Sequence, residues 1–364
     1  MFKEALLYEK LKDGNVRCGV CQRRCLIGPN QVGFCKTRLN QDGELYTLIY
    51  GVVSAVNIDP IEKKPVYHFK PGSRCYSLGT FGCNFRCDFC QNWDISYADM
   101  SQLKSKACPE SFSVDSADQD KLRRRIKGQN LKTYTPKQAV VDAGREKCQG
   151  IAFTYNEPTI WLEYTMDVAR LAKKKGLYTV YVTNGYLTSE ALDRIGPHLD
   201  VFRVDIKSMD DEFYQKLIRV PEMEGILAVT KRAKEKWKMH VEIVTNLIPA
   251  WNDSETNLQK TANWICENLG ELTPWHITRF FPCANLQNVP PTPLETLKKA
   301  VAIGREAGLK YIYLGNVREN EFSDTFCPQC RKLLIRRNGY DVAVLGLDKK
   351  GRCSSCQSVT NVII

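Results

Sequence analysis

Cys83, Cys87 and Cys90, in the run Gly82-Cys83-Asn84-Phe85-Arg86-Cys87-Asp88-Phe89-Cys90-Gln91-Asn92-Trp93, have the type and spacing to hold a metal centre. They supply three thiolates to a centre that needs four ligands. A four-iron cube held by three cysteines leaves one iron open to a non-protein ligand, and chemistry can start at that iron. The spacing therefore points to a catalytic [4Fe-4S] cluster rather than a structural staple. The competing reading is a zinc ion completed by Cys75 or by a distant histidine.

Two further cysteine groups flank this one. Cys18, Cys21, Cys25 and Cys35 lie within eighteen residues, with Gly28 and Gly33 to turn the chain, which is enough for one metal site. Structural zinc is the first expectation there and an auxiliary iron–sulfur cluster the second. Cys327-Pro-Gln-Cys330 and Cys353-Ser-Ser-Cys356 are paired knuckles on either side of the hairpin sequence LLIRRNGYDVAVLGLDKKGR. Such pairs suit one tetrahedral ion, as in a zinc ribbon or with rubredoxin-like iron. Zinc is preferred because no other sign of electron transfer accompanies the site. Cys75, Cys108 and Cys148 read as packed thiols.

The elements that must position these groups follow from periodicity. β-rich runs at Cys75 to Thr80, Gly150 to Thr154, Leu177 to Thr183, Val201 to Ile206, Met239 to Thr245 and Trp275 to Phe281 alternate with helical stretches, and a further strand is expected at Tyr311 to Leu314. Six or seven βα units imply an α/β protein built as a partial (βα)6-type barrel, or one extended by a seventh unit. The expected organisation is a four-cysteine segment over residues 1–70, a barrel over 71–320 with a polar insertion at about 97–132, and a four-cysteine module over 321–364. The insertion carries the basic run Lys121 to Lys127, read as a solvated face, with binding of RNA or another acidic partner as the alternative.

Polar residues then fall at strand ends, where βα barrels assemble their sites. Glu157 follows one strand in Thr154-Tyr155-Asn156-Glu157-Pro158, a carboxylate suited to an ammonium ligand. Asn184 ends the next, and Asp205 and Lys207 share one side of the strand after it. Asn246, Asn252 and Asp253 read as turn makers. His276 lies in Pro274-Trp275-His276, and Cys283 closes Phe280-Phe281-Pro282-Cys283 as a packed thiol or, near a reacting group, a hydrogen donor or redox group.

Composition sets the frame. The 364 residues include 16 cysteines and carry a formal net charge of +11, with 43 % hydrophobic and 26 % charged residues. Cysteines grouped in clusters favour metal ligation in a reducing compartment over disulfides. The apolar run from Leu45 to Ile58 is too short and too polar to span a bilayer, so no membrane association is expected. Acidic residues stand where a signal peptide would be apolar, making the cytoplasm the expected location.

The three-then-two spacing, with Phe89 before the third cysteine, resembles that of radical S-adenosylmethionine (SAM) enzymes. The resemblance extends through Cys18 to Cys35, Asp59-Pro60-Ile61-Glu62-Lys63-Lys64-Pro65, Thr154 to Thr159, Gly315-Asn316-Val317 and the paired knuckles. It is closest to the radical SAM proteins of the AmmeMemoRadiSam system, themselves similar to the pyruvate formate-lyase activating enzyme. The resemblance implies that the open iron binds the amino and carboxylate groups of SAM. An electron from the cluster then splits the sulfonium to give a 5'-deoxyadenosyl radical that abstracts hydrogen. It implies cofactor contacts for Phe89, Glu157, Asn184, Asp205 and His276, and catalytic roles for Asp205 and Lys207; Cys283 is a catalytic candidate from its own place directly after the strand. It further implies an electron donor such as flavodoxin or ferredoxin, and Memo-like and AMMECR-domain proteins as functional partners. The substrate is left open among a protein, in which a glycyl radical would be made, RNA and a small molecule. A noncatalytic metal-stabilised scaffold is the contrasting reading. Tyr155 and Asn156 occupy positions that are glycine in many relatives, and Phe281 stands where family members often have a histidine.

Overall fold

The computed structural model describes residues 3–100, 133–317 and 322–364. The expected basic run and Cys108 lie outside them. One sheet organises the described chain. Its strands are β1 (Ala55–Pro60), β2 (Arg74–Gly79), β3 (Gly150–Phe153), β4 (Tyr178–Thr183), β5 (Val201–Asp205), β6 (His240–Leu247), β7 (Trp275–Arg279) and β8 (Ile312–Gly315), hydrogen-bonded in that order. Strands β2 to β8 run parallel, and β1 pairs antiparallel with β2 along the edge. All seven expected strands are present. The edge strand β1 was not anticipated, because its polar Asn57 and Asp59 interrupt the apolar pattern.

Crossover helices cover the outer face: α1 (Pro136–Arg145), α2 (Leu162–Lys174), α3 (Ser189–Ile195), α4 (Glu224–Glu235), α5 (Glu255–Leu269) and α6 (Leu294–Glu306). Three begin on hydroxyl caps, with Thr135, Thr188 and Ser254 accepting from the amides of Gln138, Ala191 and Asn257. Strand alternation then divides the core. Ile151, Phe153, Tyr181, Phe202, Val204 and Ile243 face the helices, while Cys75, Ala152, Tyr178, Val180 and Val201 form a separate inner cluster with Ile61, Val66 and Phe69. The segment from Ile61 to Phe69 therefore plugs one end of the curved sheet. Glu242 fixes that plug by accepting from the amides of Tyr67 and His68 and from the imidazoles of His240 and His276.

Two small β modules attach to this frame. In the first, Tyr8–Lys10, Val16–Cys18 and Leu26–Ile27 make one antiparallel sheet, and Lys3–Glu4, Glu44–Thr47 and Arg38–Gln41 make another. Buried Arg38 reaches from this module to Glu163 on α2 in a two-pronged ion pair at 2.9 and 3.0 Å. In the second, Thr325–Phe326, Leu333–Asn338 and Asp341–Val344 form an antiparallel sheet containing the expected hairpin. Arg337 ties it to the plug, donating to the Tyr67 carbonyl at 2.7 Å and lying over the Tyr67 ring.

Candidate functional site

The cysteine loop leaves the C-terminal end of β2, on the rim where β3, β4 and β5 also end. Asn156 clamps its start, accepting from the Thr80 amide at 3.1 Å and donating to the Gly82 carbonyl at 2.7 Å. Asn92 secures its far side by donating to the Tyr155 carbonyl at 2.6 Å. Arg86 laces the middle, donating to the carbonyls of Cys83, Phe85 and Phe34. Tyr97 donates to the Cys87 carbonyl. A loop held at so many backbone atoms presents its thiols without paying much ordering entropy on binding.

Tyr155 has a left-handed backbone, φ 74°, which disfavours a side chain with a Cβ. Its hydroxyl donates to Asp59 at 2.6 Å, and Asp59 also takes Lys63 at 2.8 Å and Lys64 at 2.6 Å. The Asp59 to Pro65 motif thus holds the residue that replaces a relative's glycine. Although Asp59 is buried, its lysine and tyrosine partners keep its carboxyl below the ordinary range.

Among the described residues, the sulfurs of Cys83, Cys87 and Cys90 do not all lie within 4.8 Å of one another, nor do any two of them with a third ligand atom. A single tetrahedral ion, with zinc–sulfur bonds of about 2.3 Å, needs closer sulfurs. A cube spaces them by its own width, so the donor set fits a cluster. Cys75 is buried below, with its Sγ toward the Asp59 carbonyl at 3.4 Å. Burial raises the Cys83 thiol well above its usual pKa and Cys87 to about 12, so the metal itself must displace their protons. The Phe85 amide donates to Cys83 Sγ at 3.3 Å, and Asn184 Nδ2 lies 4.0 Å from the same sulfur.

Glu157 is buried with both oxygens occupied: Oε1 accepts from Thr159 and from the Thr183 hydroxyl at 2.7 Å, and Oε2 from the Asn184 amide at 2.7 Å. Burial raises its pKa, opposed in part by these donors. Its position joins the turn after β3 to the end of β4. Asp205 sits between Arg203 at 3.0 Å and Lys207 at 3.6 Å. Burial works against both charges, yet Arg203 and Lys207 keep Asp205 below its ordinary pKa, and Asp205 and Cys87 keep Lys207 above its own. Lys207 Nζ lies 5.6 Å from the centre of the Phe89 ring, and Cys283 Sγ donates to the Phe89 carbonyl at 3.1 Å.

The structure thus gathers Cys83, Cys87, Cys90, Phe89, Asn184, Asp205, Lys207 and Cys283 around one loop. His276 is not among them. It is held against Glu242 at 2.6 Å, stacked on Tyr313 and met edge-on by Tyr67, beside the plug. Asn252 and Asp253 accept from the amides of Ile248 and Ala250, as turn makers do. Sequence reasoning missed the clamping role of Asn156. Its signal was an amide side chain just after a predicted strand, beside the carboxylate Glu157. The C-terminal thiols form a different kind of centre: all four lie within 4.8 Å of one another, with Cys327 and Cys356 sulfurs 3.5 Å apart and those of Cys330 and Cys353 3.6 Å apart. That is near the ~3.8 Å edge of a single-ion sulfur tetrahedron.

The radical SAM superfamily profile matches residues 78–262, from the end of β2 through most of α5. The chain belongs to the radical SAM superfamily. Within it, an uncharacterized protein of Methanocaldococcus jannaschii is 38 % identical over 363 residues, covering 100 % of both chains. The pyruvate formate-lyase-activating enzyme of Clostridium pasteurianum is 28 % identical over 204 residues, covering 54 % of this chain and 72 % of that protein. Among solved structures, a domain of the pyruvate-formate lyase-activating enzyme from Bacteroides vulgatus aligns with a TM-score of 0.40 at 23 % identity, over 46 % of this chain and 99 % of that one. Superfamily membership brings a [4Fe-4S] cluster and SAM as the cofactors of this radical SAM protein. No helix among the described residues is long and apolar enough to cross a membrane.

Proposed function

We propose that this chain cleaves SAM reductively at a cluster held by Cys83, Cys87 and Cys90 and abstracts hydrogen from a substrate bound at the rim. The observation that carries the proposal is the convergence of the three thiols with Asn184, Asp205 and Lys207 on one rim. When bound, the cluster supplies the electron that turns SAM into methionine and a 5'-deoxyadenosyl radical. The protein's own residues do the rest. Asn184 offers a donor beside the Cys83 sulfur, and the Asp205–Lys207 pair offers charges of both signs to a zwitterionic amino acid and its ribose. Glu157, already filled by four donors, acts by holding Asn184 in place. Phe89 supplies an apolar wall, and Cys283, close to that wall, is the nearest candidate for a redox or hydrogen-donating group.

Relatives named as activating enzymes support a protein substrate that receives a radical. Memo-like or AMMECR-domain proteins as partners, and a flavodoxin or ferredoxin as reductant, rest on the resemblance read from the sequence alone. Anaerobic reconstitution with iron and sulfide, followed by reduction with SAM present, tests the central claim. 5'-Deoxyadenosine and methionine are expected, and Cys87→Ala is expected to abolish both. A verified four-iron cluster that yields neither product would refute it. A persistent glycyl-radical signal on a partner protein would identify that substrate class.

A further inference from the structure

The first β module brings Cys18, Cys21, Cys25 and Cys35 around a cavity of about 20 Å³ whose wall is completed by Val20, Ile27, Gly33, Arg38, Asn84 and Ile160. Three features of this cavity decide what it can hold. The first is spacing. Among the described residues, these sulfurs do not group within 4.8 Å as the four of the C-terminal module do. The same chain therefore contains one cysteine set at single-ion spacing and one set that is wider.

The second feature is the space between the sulfurs. It admits a water-sized sphere, so its centre stands farther from the walls than the ~2.3 Å of a zinc–sulfur bond. Its walls are nonetheless almost wholly apolar, which makes water a poor occupant. An added Cβ at Gly33 would come within 3.1 Å of Ile27 and 3.9 Å of Cys25 Sγ, so the smallest residue stands where the wall is closest.

The third feature is two buried donors with nothing to donate to. Arg38 is 2 % exposed and Asn84 0 %. Both Arg38 terminal nitrogens are spent on Glu163, but its Nε has no acceptor. Asn84 Oδ1 accepts from Asn184, but its Nδ2 has no acceptor either. Leaving such groups unpaired costs on the order of 1–3 kcal/mol each. Arg38 and Asn84 both line the thiol-ringed cavity, and sulfur acceptors held there would give these buried donors the partners that the protein itself does not.

We infer that Cys18, Cys21, Cys25 and Cys35 hold a second, fully cysteine-ligated [4Fe-4S] cluster, with Arg38 and Asn84 donating to its sulfur atoms. This reverses the order of expectation from sequence, where zinc came first. The site also abuts the first one. Asn84 directly follows Cys83, and a Cβ at Gly82, φ 85°, would lie 2.7 Å from the Cys35 carbonyl. Arg23 of the module donates to the Asn84 carbonyl at 2.6 Å. With all four irons of the second cluster taken by protein, it has no open position for SAM, which leaves it a redox or structural neighbour of the first.

The test uses the full chain reconstituted anaerobically, with acid-labile sulfide as readout because a single-ion C-terminal site contributes none. The triple variant Cys83→Ala, Cys87→Ala, Cys90→Ala should keep roughly half of the native sulfide. Its reduced form should give a four-iron paramagnetic resonance signal that added SAM does not alter. Replacing Cys21 with Ala in that background should remove the remainder, and Asn84→Ala should shift its midpoint potential downward. Loss of all sulfide in the triple variant would overturn the assignment, as would an unchanged potential for the role of Asn84. Anomalous scattering from crystals of the unmutated chain decides without any variant. Iron-edge signal at the N-terminal thiols supports a cluster, and zinc-edge signal there refutes it.

Discussion

Asn184 Nδ2 donates to Asn84 Oδ1 across 2.7 Å, joining the end of β4 to the residue beside the first cluster ligand. That bond occupies the oxygen of Asn84, a residue lining the N-terminal cavity, leaves its nitrogen without a protein acceptor, and puts Asn184 Nδ2 4.0 Å from Cys83 Sγ. One amide pair therefore links the Cys83 sulfur to a residue of the N-terminal cavity wall. Replacing Asn184 with Ala should leave iron and sulfide content intact while lowering the rate of 5'-deoxyadenosine formation by roughly 10–100-fold, as loss of an orienting partner beside a metal site does. Single-turnover assays on matched cluster loadings measure this.

Asn156→Ala should act on the loop instead. It removes a donor to the Gly82 carbonyl and an acceptor for the Thr80 amide, both part-buried. A stability loss of about 1–3 kcal/mol is expected in denaturant titrations, together with slower cluster incorporation. Normal stability in this variant would remove the clamp from the account.

Lys207→Met tests the charged pair. Asp205 keeps Arg203, so the fold should survive with a loss of about 1–3 kcal/mol rather than the larger cost of stranding a buried charge. SAM binding and cleavage should weaken together, and cluster content should not change. Equilibrium binding of SAM by the reconstituted variant separates this outcome from a purely structural role.

Acid should destabilise the plug end of the barrel. Burial lowers the pKa of His68 to about 3, from an ordinary 6.5. The unfolded chain thus takes up a proton as pH falls below about 6.5, while the folded chain does not until about pH 3. Its contribution is complete above that window and declines inside it by about 1.4 kcal/mol per pH unit. Glu242, held well below its ordinary pKa despite burial by His240 and His276, loses its share at lower pH still. His68→Gln should flatten the slope of unfolding free energy between pH 6 and 4, as read from denaturant midpoints in that range.

Cys330→Ser should release the ion of the C-terminal module. Metal analysis should show the loss of one tightly held zinc or iron per chain, and amide exchange should speed across Leu333–Asn338 and Asp341–Val344. The sulfide content of the rest of the protein should stay unchanged, since none of the four C-terminal thiols reaches the other two sets.

Much of this was legible in the residues. The seven parallel strands appeared at their expected places because they are short runs rich in apolar, aromatic or β-branched residues that alternate with helical stretches, and the residues at their ends, Asn184, Asp205 and Lys207, converge as strand polarity requires. His276 misled because a strand position states a side chain's level and face but not its partner. Its partner is Glu242, thirty-four residues earlier, itself fixed by a plug from the far side of the sequence. The N-terminal metal stayed open between zinc and a cluster for a related reason. Cysteine spacing along a chain limits how many ligands can meet but not how far apart their sulfurs stand. The donors that discriminate, Arg38 and Asn84, come from a module strand and from the neighbouring loop. Tyr155 in a glycine's place looked like a departure until Asp59, from the unforeseen edge strand, was seen to hold it.

The plug has a consequence for traffic. With Ile61, Val66 and Phe69 packed against the inner strand residues and Glu242 locking the segment down, the plug closes the end of the described sheet away from the cysteine rim. For the proposed reaction on a protein substrate, the small cofactor settles at that rim before the substrate covers it, and the spent fragments leave after the product. Slow departure of a bulky product would then limit turnover whatever the speed of the radical step.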